Sequence, residues 1–180
     1  MSIVVLAVGK LKGSNRYLQS GIDEYVKRMS AFCPCQIVEI PEETITPTRS
    51  EEQIKVAEGT RILAQVNKYA RQGNAWVVAL SEAGDAFSSV ELAERMFGRL
   101  VFASLKSTNQ PYGGTPWMAS NPIIFLIGGP LGLSDEVLSQ SHTRLSLSRM
   151  TFPHPMARLF LLEQVYRAFK LSRNEPYHKA

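Results

Sequence analysis

A cluster of glycines stands directly after a run of apolar residues in the second half of the chain. The run, Ile123–Ile127, has no polar break and is typical of a strand that is covered on both faces. Gly128, Gly129 and Gly132 follow it, and glycines permit a tight turn that another group can approach closely. Ligands of open α/β sheets bind beyond the carboxyl ends of the strands. The pattern predicts a small ligand against Gly128–Leu133, with a ligand-free strand-to-helix turn as the alternative.

The glycine pattern differs from the two common phosphate-binding motifs. A dinucleotide fingerprint needs G-x-G-x-x-G after the first strand, whereas here G-G-P-L-G follows the fourth predicted strand. A Walker loop needs Gly-Lys-Ser/Thr, which the sequence lacks. Pro130 also removes a backbone amide that a phosphate would use. We therefore expect a ligand that is bound through adenine and ribose edges rather than through phosphates.

Other residues with chemical potential give weaker signals. Cys33 and Cys35 are separated by one residue, which is poor spacing for a disulfide or a zinc site. The three histidines, His142, His154 and His178, lie in unlike contexts. We therefore expect no metal centre. The sequence also shows no nucleophilic triad, so covalent hydrolysis is a weak option.

Positive charge is concentrated near the C-terminus. The net charge of the whole chain is +4, and from residue 143 onward seven basic residues stand against two acidic ones. A basic end favours an anionic partner, with nucleic acid as the first candidate. A solvated basic face is the alternative. The seven basic residues are Arg144, Arg149, Arg158, Arg167, Lys170, Arg173 and Lys179.

The composition is typical of a globular protein. Of the 180 residues, 44% are hydrophobic and 20% are charged. No apolar run approaches the roughly 18 residues that a membrane span requires. Ile3–Val8 is too short for the apolar region of a signal peptide and follows no basic residue. We therefore expect a single domain over residues 1–180, located in the cytoplasm.

Apolar segments of strand length alternate with segments of helical periodicity. Strands are predicted at Ile3–Val8, Gln36–Ile40, Ala75–Leu80, Ile123–Ile127 and Thr143–Leu147. Helices are predicted at about residues 17–29, 50–71, 88–102 and 155–171, with a short one opening at 134. Ser50 with Gln53, and Ser88 with Glu91, are capping-box signals. This order predicts an α/β fold with a mostly parallel sheet that is flanked by helices.

Two segments depart from a simple alternation. Ala103–Pro122 contains three prolines and is long for a connection in a compact domain. We expect it to be a surface insertion that Tyr112 and Trp117 pin to the body of the protein, with contacts to a partner as the alternative. The last predicted helix is apolar on more than one side, so it should be buried on more than one side. Its second face should meet either another copy of the chain, in a symmetric dimer, or the insertion.

Five motifs in the second half of the chain are informative in combination. They are IGGPLGLS at 127–134, LSLS at 145–148, MTFPHPMAR at 150–158, LEQVYRA at 162–168 and NEPYH at 174–178. Together with Ile3–Gly9, Leu80 to Gly84 and Ser88–Ala93, they resemble the RlmH family, the large-subunit rRNA pseudouridine N3-methyltransferases of the SPOUT class. Ser81 stands where that family usually has an acid, and Asp85 where it usually has a lysine.

The resemblance implies an α/β fold with a C-terminal trefoil knot, a homodimer, and S-adenosylmethionine bound in the knot. The implied reaction is N3-methylation of a pseudouridine in 23S rRNA. Tyr177 and His178 are implied as substrate-side residues that complete the site of a partner copy. The implied cofactor contacts are Leu80, Gly128, Gly129, Leu147, Ser148, Arg149, Met150, Thr151 and Phe152.

The implied reaction requires a proton acceptor and an RNA-binding surface. Because N3 carries a proton that must leave, we predict His154 or His178 as its acceptor, since histidine titrates near neutral pH. Arg149, Arg158 and Arg173 are candidates for contacts with RNA phosphates, with solvated charges or ion pairs as the alternative. A catalytically silent RNA-binding or ribosome-assembly factor is the alternative function.

Overall fold

The strands of the protein form one parallel sheet. A computed structural model describes residues 2–11, 13–70, 74–98, 117 and 121–177. Its strands are β1 Ile3–Val8, β2 Cys35–Ile40, β3 Trp76–Ala86, β4 Ile123–Ile127 and β5 Thr143–Ser146. The strand order is β2-β1-β4-β3-β5, and every neighbouring pair is parallel. The predicted α/β fold is therefore confirmed, whereas the trefoil knot stays a prediction.

Each of these strands is followed along the chain by an α-helix. They are α1 Gln19–Met29, α2 Glu51–Tyr69, α3 Ser89–Phe97, α4 Asp135–Gln140 and α5 His154–Ser172, with a 3₁₀ helix at Gly13–Leu18 before α1. The first predicted helix therefore begins as a tighter turn than its periodicity indicated. The predicted end of the third helix, at 99–102, lies outside the described residues. Among the helices described, none combines the length and the apolar character that crossing a bilayer requires.

Strand β3 runs to Ala86, beyond the predicted end at Leu80. Leu80 and Asp85 both register with Leu145 of β5, so the pairing shifts between them. A Cβ on Gly84 would lie 2.7 Å from the carbonyl carbon of Arg144, which means that only glycine allows this close approach. The polar residues in this stretch concealed its extended conformation, because they lack the apolar pattern of a buried strand.

Both predicted capping boxes are confirmed. The Ser50 hydroxyl accepts a hydrogen bond from the Gln53 backbone N–H, and the Gln53 side chain accepts one from the Ser50 N–H. Ser88 and Glu91 make the same reciprocal pair at the start of α3. Each box satisfies two backbone donors that the first turn of a helix would otherwise leave unpaired.

Replacing Ser88 by alanine should lower the free energy of unfolding by about 1 kcal/mol, because one N-terminal donor of α3 loses its acceptor. Urea denaturation followed by circular dichroism measures the change. Thr44→Ala is a suitable control, since Thr44 is exposed in the loop between β2 and α2. An equal loss in both variants would contradict the capping role.

The side chains of the central strands separate two layers of helices. Ile3, Val5 and Ala7 of β1 belong to a core formed with α1, α3 and α5. The alternate residues Val4 and Leu6 belong to a second core, formed with α2 and α4. This period-two alternation, with apolar residues on both faces, is why β1 and β4 read as continuous apolar runs in the sequence.

Helix α5 is buried along most of its length. Leu161, Leu162 and Val165 are 0% exposed and belong to the core that α5 shares with α1 and α3. Contacts with both of these helices explain much of its all-round apolar character within a single chain. Phe160 remains 39% exposed, and a dimer contact on this side stays a prediction.

Trp117 anchors its segment to the amino ends of the strands. Its side chain is 3% exposed, and its ring stacks on Trp76 with centroids 5.6 Å apart. Trp76 stacks in turn on His142 at 5.1 Å. The Trp117 backbone N–H donates to the carbonyl oxygen of Arg95 at 3.1 Å. The expected pinning role of Trp117 is confirmed, while residues 103–116 and 118–120 of the predicted insertion lie outside the described residues.

Candidate cofactor and substrate site

A cavity of about 940 Å³ lies beyond the carboxyl ends of β3, β4 and β5. This is the edge of a parallel sheet where ligands of α/β proteins bind. Its walls are the end of β3, the glycine turn at 128–133, the loop at 147–153 and the first turn of α5. The structure therefore brings together segments that are far apart in the sequence. The predicted cofactor residues that line it are Leu80, Gly128, Gly129, Leu147, Ser148, Met150, Thr151 and Phe152, but not Arg149.

The glycine turn folds the backbone against itself. The Gly132 N–H donates to the carbonyl oxygen of Gly129 at 3.0 Å, and Gly132 has a φ of +82°. A Cβ on Gly128 would lie 2.6 Å from the carbonyl carbon of Gly132. Because the obstacle is backbone rather than a flexible side chain, position 128 accepts only glycine without a shift of the turn. The bare backbone of this turn forms one wall of the cavity.

A buried carboxyl group, which the sequence analysis missed, lies next to the turn. Glu58 of α2 is 2% exposed and accepts a hydrogen bond from the Glu43 backbone N–H at 3.0 Å. Its Oε2 lies 3.1 Å from the place where a Cβ on Gly129 would stand. Burial raises the pKa of Glu58 above its usual range. The available signal was an acid at i+4 between Ile54 and Ile62, within the apolar stripe of α2.

The loop after β5 is held by its own serines. The Ser146 hydroxyl donates to the carbonyl oxygen of Ser148 at 2.9 Å, and the Ser148 hydroxyl accepts from the Met150 N–H at 3.0 Å. Met150 is 68% exposed at the mouth of the cavity. The ring of Phe152 packs on that of Phe160, with centroids 5.0 Å apart. These contacts shape the second wall without any ion pair among the residues that line it.

His154 reaches the cavity from the first turn of α5. The imidazole is half-buried, and its Nε2 lies 3.2 Å from the place of a Cβ on Gly9. Burial lowers the pKa of His154, the charge of Arg158 lowers it further, and the charge of Glu42 acts in the opposite direction. The ring is therefore neutral at pH 7 and able to accept a proton.

Arg158 is a structural residue, and its predicted contact with RNA phosphates requires correction. The side chain is 0% exposed. Its Nη2 donates to the carbonyl oxygens of Val8 and Gly9, at 2.8 Å and 2.7 Å. Its Nη1 donates to Glu39 Oε1 at 3.2 Å. A guanidinium group that is enclosed in this way fastens α5 to the end of β1 and cannot reach a phosphate in solvent.

Tyr177 lies at the far end of α5 from the cavity of its own chain. Its ring packs on Tyr166 at 5.1 Å, and its hydroxyl donates to Glu163 at 3.2 Å. Burial, Tyr25 and Glu163 all raise its pKa, so the hydroxyl stays protonated at neutral pH. With about 1.5 Å of rise per residue, Tyr166 is roughly 18 Å along the helix from His154. His178 lies outside the described residues.

The remaining basic and sulfur-containing candidates lie elsewhere. Arg149 is exposed on the loop after β5, and the Arg173 guanidinium lies 4.4 Å from the centre of the Phe32 ring. Cys33 and Cys35 are free thiols, and burial raises the pKa of Cys33 to about 11. A thiol with such a pKa is a poor nucleophile at pH 7. Within the described ranges, no three potential metal ligands converge.

Comparison with known proteins identifies the family. The model of the family described as "Predicted SPOUT methyltransferase" matches residues 1–104 and 115–178. A relative from Methanoregula boonei is 46% identical, over 99% of this chain and 100% of its own length. Relatives from Clostridium novyi and Clostridioides difficile, both named ribosomal RNA large subunit methyltransferase H, are 43% and 41% identical over the same shares of both chains. The chain belongs to the SPOUT methyltransferases and, among them, to the ribosomal RNA large subunit methyltransferase H family.

Proposed function

We propose that this protein methylates N3 of a pseudouridine in 23S rRNA, with S-adenosylmethionine as the methyl donor. The observation that carries the proposal is the cavity that the glycine turn and the loop at 147–153 enclose at the carboxyl edge of the sheet. We further propose that it acts as a single SPOUT domain over residues 1–180, with the trefoil knot of that class, in the cytoplasm.

The residues around the cavity fit the proposed methyl donor. The packing of Gly128 against Gly132 keeps the turn tight, and the turn lines the cavity with glycine backbone, against which the flat adenine ring can lie. Leu80, Leu145 and Leu147 supply apolar surface for the adenine ring. The loop at 147–152 supplies further backbone and hydroxyl groups. When bound, S-adenosylmethionine supplies a sulfonium methyl group, and the protein has only to hold the acceptor nitrogen in line with it.

The N3 proton of the substrate base must be lost during methyl transfer, and His154 is placed to accept it. The imidazole lines the cavity and is neutral at pH 7, because burial lowers its pKa. A neutral imidazole at hydrogen-bond distance from the base can accept the proton as transfer proceeds. His154 is therefore our proposed proton acceptor within the chain that holds the methyl donor.

We include a homodimer in the proposal because the C-terminal tail lies far from the cavity of its own chain. Tyr177 is remote from the cavity of its own chain, so it and His178 would act at the cavity of a second copy. Tyr177 would donate a hydrogen bond there, because its raised pKa keeps it protonated. Arg149 and Arg173 remain the proposed contacts with RNA phosphates, since both are exposed.

The decisive experiment maps methyl groups on rRNA. Ribosomes from cells that lack this protein are incubated with the purified protein and S-adenosylmethionine, and the 23S rRNA is digested and analysed by mass spectrometry. We expect one additional methyl group on one pseudouridine. Calorimetry with S-adenosylmethionine alone provides the second measurement. Binding to rRNA without heat from the methyl donor and without methylation would favour the silent RNA-binding factor instead.

The transfer rate should fall as the pH is lowered through the His154 pKa. Because the pKa of His154 is below its ordinary value of about 6.5, the loss should occur below pH 6.5 and approach tenfold per unit. Single-turnover methyl transfer at saturating S-adenosylmethionine, between pH 5 and pH 8, measures the profile. Calorimetry over the same range controls for loss of binding. A rate that stays flat through the pH range in which the His154 imidazole is seen to titrate by NMR would remove His154 from the role of acceptor.

A further inference from the structure

Two titratable side chains share the space over Gly9. This residue follows β1 with a φ of +83°. Glu42 Oε2 and His154 Nε2 lie 3.1 Å and 3.2 Å from the place that a Cβ would occupy on Gly9. The carboxylate and the imidazole are therefore within about 6 Å of each other, the range over which one charge shifts the proton affinity of another. Any larger residue at position 9 would stand between them.

The three segments that carry these groups are fixed relative to one another. The Gly9 N–H donates to the carbonyl oxygen of Ile40 at 2.9 Å, which ties the ends of β1 and β2 together just before Glu42. Arg158, one turn after His154, holds the carbonyl oxygens of Val8 and Gly9. The start of α5 therefore has a fixed position over the end of β1, so the proximity of Glu42 and His154 follows from the fold.

Charged groups surround His154 on several elements. Arg158, one turn later on α5, is a cation whose charge acts on His154, and it is paired with Glu39 of β2. Lys10 is exposed in the loop after β1, and Glu82 of β3 lies across the cavity. Glu58 of α2, behind the glycine turn, is a further acid, and its burial favours its protonated form. Since Arg158 already has an acidic partner, Glu42 is the carboxylate placed to balance a positive charge on His154.

We propose that Glu42 is a positioning residue for His154: its carboxylate faces Nε2 and stabilises the ring when Nδ1 takes up a proton from the substrate base. This inference deepens the proposed function and rests on it for the identity of the base. The arrangement is similar to a catalytic imidazole with a carboxylate on its far side, where the acid orients the ring and offsets its developing charge. At this separation the carboxylate acts through space or through one bridging water.

The proton and electron balance of the step is simple. The N3 proton passes to Nδ1 of His154, so the ring becomes an imidazolium whose Nε2–H faces Glu42. The N3 electron pair forms the new bond to the methyl carbon as the methyl–sulfur bond breaks, and that bond's electrons remain on sulfur. Glu42 exchanges no proton in this step and contacts no reacting atom.

The electrostatic interaction between Glu42 and His154 can be measured without any catalysis. The titration of the His154 Cε1–H signal is followed by NMR in the full-length protein, in Glu42→Gln and in Glu52→Gln, with the signal assigned by its loss in His154→Gln. Glu52 is a matched control, because it is an exposed acid that pairs with Lys55 at the start of α2. We expect the His154 pKa to fall by about 0.3 to 0.7 units in Glu42→Gln and to be unchanged in Glu52→Gln. Coincident titration curves for all three proteins would overturn the proposal.

The pH dependence of methyl transfer tests whether Glu42 affects the role of His154 in the reaction. In Glu42→Gln the acidic limb of the rate profile should move to lower pH by the same amount as the NMR titration, with a lower plateau rate. Glu42→Asp should recover most of both changes, since it restores the charge. A shifted titration with an unaltered rate profile would refute the positioning role and leave the proposed methylation intact.

Two further outcomes are distinguishable. Absence of methyl transfer by the unaltered protein would refute the proposed function, while the NMR titration would still decide whether the two side chains are coupled. If Glu42→Gln does not fold, Glu42→Ala replaces it, because Glu42 is exposed and the substitution also removes the carboxylate. The His154 pKa should again fall, and an unchanged His154 pKa would overturn the pairing.

Discussion

Replacing Arg158 by alanine should lower the free energy of unfolding by about 3–5 kcal/mol. The guanidinium is 0% exposed and satisfies the carbonyl oxygens of Val8 and Gly9 together with the Glu39 carboxylate. Its removal leaves the carbonyl oxygens of Val8 and Gly9 without their donor in a buried site that is no longer filled, and both the desolvation and the cavity are unfavourable. Urea denaturation monitored by circular dichroism measures the loss.

Two variants distinguish a structural role of Arg158 from a role in binding RNA phosphates. Arg158→Lys keeps the charge but loses the planar fork, so it should recover only part of the stability. Arg16→Ala removes an exposed arginine and should change the stability by less than about 0.5 kcal/mol. If Arg158→Ala were as stable as Arg16→Ala but bound rRNA more weakly, Arg158 would be a phosphate contact and its structural role would be refuted.

Replacing Gly128 by alanine should reduce the affinity for S-adenosylmethionine by about 100-fold, which corresponds to about 2.8 kcal/mol. The new Cβ would lie 2.6 Å from the carbonyl carbon of Gly132 and 3.0 Å from the Leu133 nitrogen. The turn must therefore open, and this displaces the wall against which the adenosine group is proposed to lie. Isothermal titration calorimetry measures the affinity, and thermal unfolding measures the accompanying loss of stability.

Gly132→Ala is the matched control for this steric effect. Nothing lies within 4 Å of a Cβ at position 132, but its φ of +82° makes any side chain unfavourable there. We expect a loss of stability of about 1 kcal/mol and a smaller change in affinity than in Gly128→Ala. An unchanged affinity in Gly128→Ala would mean that the methyl donor does not use this turn.

Local patterns in the sequence predicted the elements that build the site, apart from the extension of β3 beyond Leu80. The buried run Ile123–Ile127, the following glycines and the two capping boxes are each determined by residues a few positions apart. Since ligands bind at the carboxyl edge of parallel strands, the position of the cavity followed from the order of the elements. The resemblance then supplied the residues after β5 that line it, which periodicity alone would not have selected.

The long-range contacts were not predictable from the same patterns. Arg158 is 150 positions from Val8 and 149 from Gly9 in sequence, and an arginine in a basic segment is typical of a surface residue. The proximity of Glu58 to Gly129 and that of Glu42 to His154 also join distant segments. In each case a polar group takes its function from partners that only the folded chain brings to it.

The position of β4 between β1 and β3 governs when the sheet can be completed. Ile3 pairs with Ile123, so one edge of β1 has no permanent neighbour until the ribosome has added more than a hundred residues. At about 5–20 residues per second, the interval between synthesis of β2 and of β4 is on the order of 5–15 s. During that interval the nascent chain presents an apolar strand edge to its surroundings. We therefore expect slow refolding, and a need for chaperones that bind the chain before its C-terminal third has been synthesised.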